Sequence, residues 1–350
     1  MKVDAQSYAL QCTGPGPELH VAPRLLKARR RSDVLVDVKA CAVNPIDAKR
    51  VDGYGARLLS LFGASGYPLV VGNDFSGVIR AVGSDSQPWI EGQRVFGLVP
   101  TGRWGSHATS LLIDARWVRV APVSYTFEQL AVLPYSFTTM WLAVRSTGLN
   151  RANAKGKRVL IYGASGALGQ LALQLLAPWG AEVTAVSGSN GLSHSLALGA
   201  AKALDRRQSP LQTLAGQFDV SLNFGSWADD RAAANCLGRS ALGHATTVHP
   251  LLQNFDQFGW LRGLTTSVRE RRLQKRLLRS HSPRATYEWV VFRPDLEALD
   301  LLSDMVAAGR ASLPVGIKVP FAEAHHAFSH VTQKCFGRAV LLPGSACGGR

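Results

Sequence analysis

The segment from Arg158 to Gly169, RVLIYGASGALG, constrains this chain more than any other stretch. Arg158 to Tyr162 is a short apolar run of β-formers, long enough for one buried parallel strand. Gly163, Gly166 and Gly169 follow, and then Gln170 to Leu176, which is rich in helix formers. Strand, glycine turn and helix form the setting that a dinucleotide fingerprint requires. Gly163 lets the chain leave the strand sharply, and Gly166, lacking a Cβ, lets the backbone approach a pyrophosphate. Gly169 lets the helix pack closely on the sheet. The helix N-terminus offers N–H groups and a positive dipole end to phosphates, so Ser165, Ala167 and Leu168 join the expected cofactor site. The alternative is a tight turn with no ligand.

Around this segment, 350 residues favour two domains over one. No window reaches the ~18 apolar residues of a membrane span. The start, MKVDAQ, has no apolar signal region, which sets the expectation of a cytoplasmic protein. The five cysteines, at 12, 41, 236, 335 and 347, are scattered and form no CxxC pair. That argues against a disulfide framework or a structural zinc. Net charge is +15, and Arg269 to Arg279 holds six positive residues against one glutamate. This run reads as a solvated basic helix face. It could also attract an acidic partner: an acyl-carrier protein, a coenzyme A thioester or an anionic membrane surface. Nucleic acid ranks last, because the run lies in no recognisable nucleic-acid module.

Residues 1 to about 130 read as β-rich, with short apolar runs at 34–38, 77–82, 93–99 and 117–120 separated by turns. Arg29 to Asp33 is a charged turn between strands. Helical spacing begins near Thr126, and Pro134 to Val144 forms an apolar helix leading into the glycine segment. Afterwards strands at 182–186, 218–224 and 287–292 alternate with helices at 192–198, 229–237 and 295–308. Such alternation predicts an α/β fold with a doubly wound parallel sheet. Residues 316–342 return to short strands plus a helix over 323–331. The expected domains are therefore 1–125 with 315–350, a discontinuous β-rich unit, and 126–314, the nucleotide-binding unit.

An NAD site usually has an acidic residue at the end of the second strand, facing the ribose 2′-OH. Here Glu182 opens that strand, and it closes with Ser187-Gly188-Ser189-Asn190. This neutral turn, with Ser187 and Ser189, leaves room for a 2′-phosphate, and Arg206 can supply the positive charge. NADPH is the expected cofactor.

The order of elements now resembles a known family. The β-rich lobe, LPYSFTTMW, GASGALG and the returning tail resemble the medium-chain dehydrogenase/reductase superfamily. CAVNPID at 41–47, GYG at 53–55, GNDFSGV at 72–78 and Gly337-Arg338 are similar to its zeta-crystallin-like quinone oxidoreductase branch. Within that branch the chain is most similar to the reticulon-interacting mitochondrial quinone oxidoreductases. The resemblance implies a GroES-like catalytic domain, a Rossmann domain and hydride transfer from NADPH to a quinone or an activated alkene. It also implies a frequent homodimer. Where the zinc branch carries its first cysteine this chain has Asn44, and Asn73-Asp74 stands in place of His-Glu. Asn is a poor zinc ligand, so no metal is expected. His325, His326 and His330, near Cys335, read as one face of an ordinary amphipathic helix.

The resemblance places Asn44 and Tyr54 near the nicotinamide as the catalytic pair. Asn44 would donate from its amide to the oxygen where negative charge develops; Tyr54 or a water would supply the proton. Further cofactor contacts implied by position are Thr139, Asn223, Gly225, His249, Gly337 and Arg338. For His249 the backbone, not the imidazole, matches the family. Other readings keep the fold but change the task. One is an ene- or imine-reductase acting on a natural-product or carrier-bound intermediate, motivated by the basic segment. The other is an NADPH-binding scaffold or sensor without turnover.

Overall fold

The structure is a computed structural model that describes residues 6–16, 18–26, 30–102 and 104–344. Arg29 and Cys347 lie outside the described residues. The chain divides into two units.

The second unit, Ser136–Phe292, holds a six-stranded sheet. Its order is Lys202–Asp205, Glu182–Ser187, Arg158–Tyr162, Val220–Asn223, Gly243–Thr246 and Thr286–Trp289, with every neighbouring pair parallel. The glycine-segment strand lies inside the sheet, between the second and fourth strands in chain order. This is the doubly wound order, and its switch point falls between Arg158–Tyr162 and Val220–Asn223. Val159, Leu160 and Ile161 are fully buried, as a parallel strand covered on both faces requires.

The first unit comprises residues up to Tyr135 and from Arg293 onward. Its main sheet runs Val315–Pro320, Arg338–Leu342, Asp33–Val43, Asp74–Val82, Arg94–Leu98 and Val118–Val120, and Ser110–Asp114 also pairs with Asp33–Val43. The long strand Asp33–Val43 is buried along most of its length because it takes partners from three parts of the chain. Phe75, Ile79, Phe321 and Leu341 pack in the core beside it.

The limits between units differ from the expected ones. Residues 126–135 and 293–314 fall with the first unit, not with the nucleotide-binding one. The helix Phe127–Ala131, capped by Thr126, is tied to the first sheet by Ser76 Oγ, which donates to the Phe127 carbonyl at 2.6 Å. The Tyr125 hydroxyl donates to the Ala311 carbonyl at 2.9 Å, and Arg119 Nε donates to Asp300 at 2.8 Å. Helical period reveals a helix but not the sheet that it covers. The basic run lies in a helix from Leu251 to His281, interrupted at Gly259 by a φ of 74°.

Candidate active site and cofactor cradle

In the second unit, each of the three glycines does a different job. Gly163 has φ 88°, and a Cβ there would stand 2.8 Å from the Gly225 nitrogen. A Cβ at Gly169 would stand 2.5 Å from the Ala164 Cα, so the helix Ala167–Leu176 can lie this close only with glycine. A Cβ at Gly166 would meet only the Gly163 carbonyl oxygen, at 3.4 Å. Ser165 and Gly166 are exposed, and Gly166 is the N-cap of the helix, with Ala167 and Leu168 half-buried behind it. Fold packing thus accounts for Gly163 and Gly169, whereas Gly166 leaves open space at a helix N-terminus, as a phosphate needs.

The turn after the second strand meets this cradle: a Cβ on Gly191 would lie 2.5 Å from the Ser165 Cβ. Ser187 is buried, Ser189 is exposed, and the Ser187 carbonyl accepts from the Arg206 N–H at 2.8 Å. Arg206 is exposed and hydrogen-bonds the Tyr162 hydroxyl, which itself donates to Asp229 at 2.6 Å. Burial and the Asp229 carboxylate push the Tyr162 phenol up to about 12. Ser187 and Arg206 therefore stand side by side.

Other expected contacts are occupied within the protein. Asn223 is fully buried; its Nδ2 donates to Ser226 O and Asp230 Oδ1, and its Oδ1 accepts from the Gly225 N–H at 3.0 Å. Its side chain therefore shapes the Gly225 turn. The His249 ring stacks on Trp289 with centroids 5.0 Å apart, and its Nε2 lies 3.0 Å from the Val290 carbonyl. Burial lowers its pKa, against the pull of that carbonyl, so the neutral ring is a packing element. Thr139 is buried on the helix Pro134–Ser146. Sequence reasoning missed Asp230 altogether. It takes bonds from His244 Nε2 (3.0 Å), the Tyr287 hydroxyl (2.6 Å) and Asn223 (2.8 Å). Burial raises its pKa, but the electrostatic pull of His244 and these hydrogen bonds outweigh it and hold the carboxyl at about 2.

In the first unit a second polar cluster forms across a long sequence separation. Asn44 precedes the helix Pro45–Val51, and its backbone N–H donates to Asp47 Oδ2 at 2.8 Å. The other Asp47 oxygen accepts from the Gly72 N–H at 2.9 Å. The Asn44 Nδ2 donates to Asp74 Oδ2 at 2.9 Å, and its Oδ1 accepts from the Arg338 guanidinium. The second Asp74 oxygen accepts from the Tyr135 N–H. Burial pushes the Asp74 carboxyl up to about 7, against the pull of Asn44, Tyr135 and Arg338. Burial likewise lowers the Arg338 pKa, opposed by Asp74 and Asp47. Asn44 differs from its expected role as a substrate donor: it is fully buried, one amide N–H is committed to Asp74, and its oxygen faces a cation. Gly337, at φ 80°, brings Arg338 to this point, because a Cβ there would stand 2.5 Å from the Gly316 nitrogen. Tyr54, half-buried beyond the end of the same helix, has the Lys49 ammonium 5.0 Å from its ring centre.

Comparison with known proteins agrees with this architecture. Residues 30–122 match the alcohol dehydrogenase GroES-like domain family. The chain is 31% identical over 315 residues to the protein named NAD(P)H oxidoreductase RTN4IP1, mitochondrial, from Danio rerio, covering 86% of this chain and 81% of that one. The chain belongs to the medium-chain dehydrogenase/reductase superfamily.

It is thus an NAD(P)H-dependent oxidoreductase of that superfamily, akin to the RTN4IP1 proteins. The word mitochondrial in the relative's name gives the cytoplasmic expectation no support. It is also 31% identical over 201 residues to a 2-methylene-furan-3-one reductase of Solanum lycopersicum, covering 55% of this chain and 49% of that one. The solved quinone oxidoreductase from Coxiella burnetii shares the fold, with a TM-score of 0.76 at 20% identity, over 97% of this chain and all of the other.

Proposed function

We propose that this superfamily member is a zinc-independent, NADPH-dependent reductase of quinones or enones. The observation that carries the reading is the Asp74–Asn44–Arg338 cluster. At the positions where the zinc branch places its ligands, this chain has two amides and one carboxylate. All three are hydrogen-bonded within the protein: Asn73 Nδ2 donates to the Val99 carbonyl at 2.8 Å, and the Arg338 cation faces Asn44. Such a donor set does not fit zinc, which takes thiolate, imidazole or free carboxylate. Among the described residues no group of three or more His, Cys, Asp or Glu could hold a metal ion. His330 Nε2, for instance, lies 3.1 Å from the Gly337 carbonyl.

When bound, NADPH supplies the hydride. Gly163 to Gly169 would hold its pyrophosphate, and Arg206 with Ser187 and Ser189 would hold the 2′-phosphate. Arg338, kept in place by Asn44, adds positive charge. The Tyr54 phenol or a water would deliver the proton, and a quinone product can also take it from solvent. The names of the relatives support an acceptor of this class.

Arg206→Ala tests the cofactor assignment. Loss of one charged hydrogen bond should lower kcat/KM for NADPH by about tenfold to a hundredfold, with NADH unchanged. Equal effects on the two cofactors would sink it. Steady-state assays with a benzoquinone and an enone, together with elemental analysis, test the rest: turnover without bound zinc is expected. One tightly held zinc per chain would overturn the reading.

A further inference from the structure

We propose that the helix from Trp260 to His281 docks the protein on an anionic lipid surface. This helix spans about 33 Å at about 1.5 Å per residue. It packs inward through Gly263, Ser267 and Leu278. A different face carries Leu261, Leu264, Val268, Arg272, Lys275 and Arg279, at spacings of three and four, so they form one stripe along the axis. The apolar half of the stripe is open to solvent: Leu261 is 81% exposed and Leu264 52%, with Trp260 beside them at 42%. The other half is cationic. Glu288 pairs with Arg271, and Glu270 accepts from Asn254 Nδ2 at 3.1 Å. Among the described residues Arg272, Lys275 and Arg279 form no ion pair.

Protruding leucines and a tryptophan beside uncompensated basic residues match the chemistry of a helix lying in a lipid interface. Two other occupants fit less well. A second copy packed parallel about a two-fold axis would set cations against cations, and one packed antiparallel across the middle of the stripe would set the leucines against the cationic half. A folded acidic protein would need a cavity for each projecting leucine, whereas lipid deforms around them. No helix among the described residues is long and apolar enough to cross a membrane, so the contact is one of surface attachment.

The test is sedimentation of the full chain with vesicles of phosphatidylcholine alone, or of phosphatidylcholine mixed with phosphatidylglycerol. Binding to the anionic vesicles and release by salt are expected. The triple variant R272Q/K275Q/R279Q should lower partitioning by about a hundredfold, near fivefold per cation. Leu261→Ser with Leu264→Ser should lower it by about tenfold or more. Four of the five positions are exposed and Lys275 is half-buried, and none belongs to the proposed reductase site, so turnover of a water-soluble quinone should be unchanged, which separates this result from the reductase reading. Equal binding to neutral vesicles, or undiminished binding by both variants, would overturn the proposal. So would a wild-type dimer that Leu264→Ser dissociates while vesicles are ignored, or capture by polyglutamate but not by lipid.

Discussion

Asp74 is a buried carboxyl that accepts from the Asn44 side-chain amide and the Tyr135 N–H and feels the charge of the Arg338 guanidinium, and its titration should be visible in the stability of the whole chain. Its folded pKa, about 7, lies above the ordinary value of 3.8. Between those values the folded chain keeps a proton that the unfolded chain has released. Stability from this residue is therefore full below about pH 4 and falls as pH rises toward 7, then levels off. Asp74→Asn keeps an acceptor oxygen but cannot titrate. Urea midpoints measured across this window should fall by the equivalent of a few kcal/mol more in the wild type than in the variant; parallel curves would contradict the assignment. The same cluster shows where sequence reading stops at this scale. Asn44 and Arg338 were each legible, as a replaced ligand position and as a Gly-Arg pair near the end. Their mutual hydrogen bond, across 294 positions, was not, because no local pattern encodes it. Without that bond Asn44 reads as a free donor; with it, the amide is a fixed part of the protein.

At the scale of the element, the glycine turn was the most legible part of the chain. Strand composition, glycine spacing and the following helix all point the same way, and the doubly wound order follows from their alternation. The structure adds a distinction that spacing cannot make. Two of the glycines are required by packing, and the third is not: it leaves open space at the helix N-terminus. Gly166→Ala should therefore leave the unliganded melting temperature nearly unchanged while abolishing most of the NADPH-induced shift. Gly169→Val should lower the unliganded melting temperature itself, because the added side chain meets Ala164 backbone. Thermal melts of both variants with and without NADPH give the comparison. An NADPH shift of wild-type size in Gly166→Ala would show that no phosphate sits there. The Asp230 network was illegible for a related reason. Its members, at 223, 230, 244 and 287, come from three strands and a helix, and only the sheet order makes them neighbours.

For the whole molecule, connectivity decides which piece can stand alone. The nucleotide-binding unit is continuous in sequence, and its core of Leu160, Val186, Leu237 and Tyr287 closes on residues from within it. The first unit is interrupted, and its sheet takes Arg338–Leu342 directly against Asp33–Val43, with Ala339 opposite Val43. The returning tail was legible in the sequence as renewed strand spacing, but the residues that travel with it were not. The helix Leu296–Ala307 has a period suited to either unit, and only its packing on Val118–Val120 assigns it. A fragment of residues 134–292 should therefore fold, show mixed α/β circular dichroism and retain stabilisation by NADPH, without turning over any quinone. A fragment ending at Tyr135 should remain unfolded, since its longest strand loses the partner that covers its last residues and Asn44 loses Arg338. If the 1–135 fragment instead melted cooperatively by itself, the tail would be an addition to a finished sheet rather than a part of it.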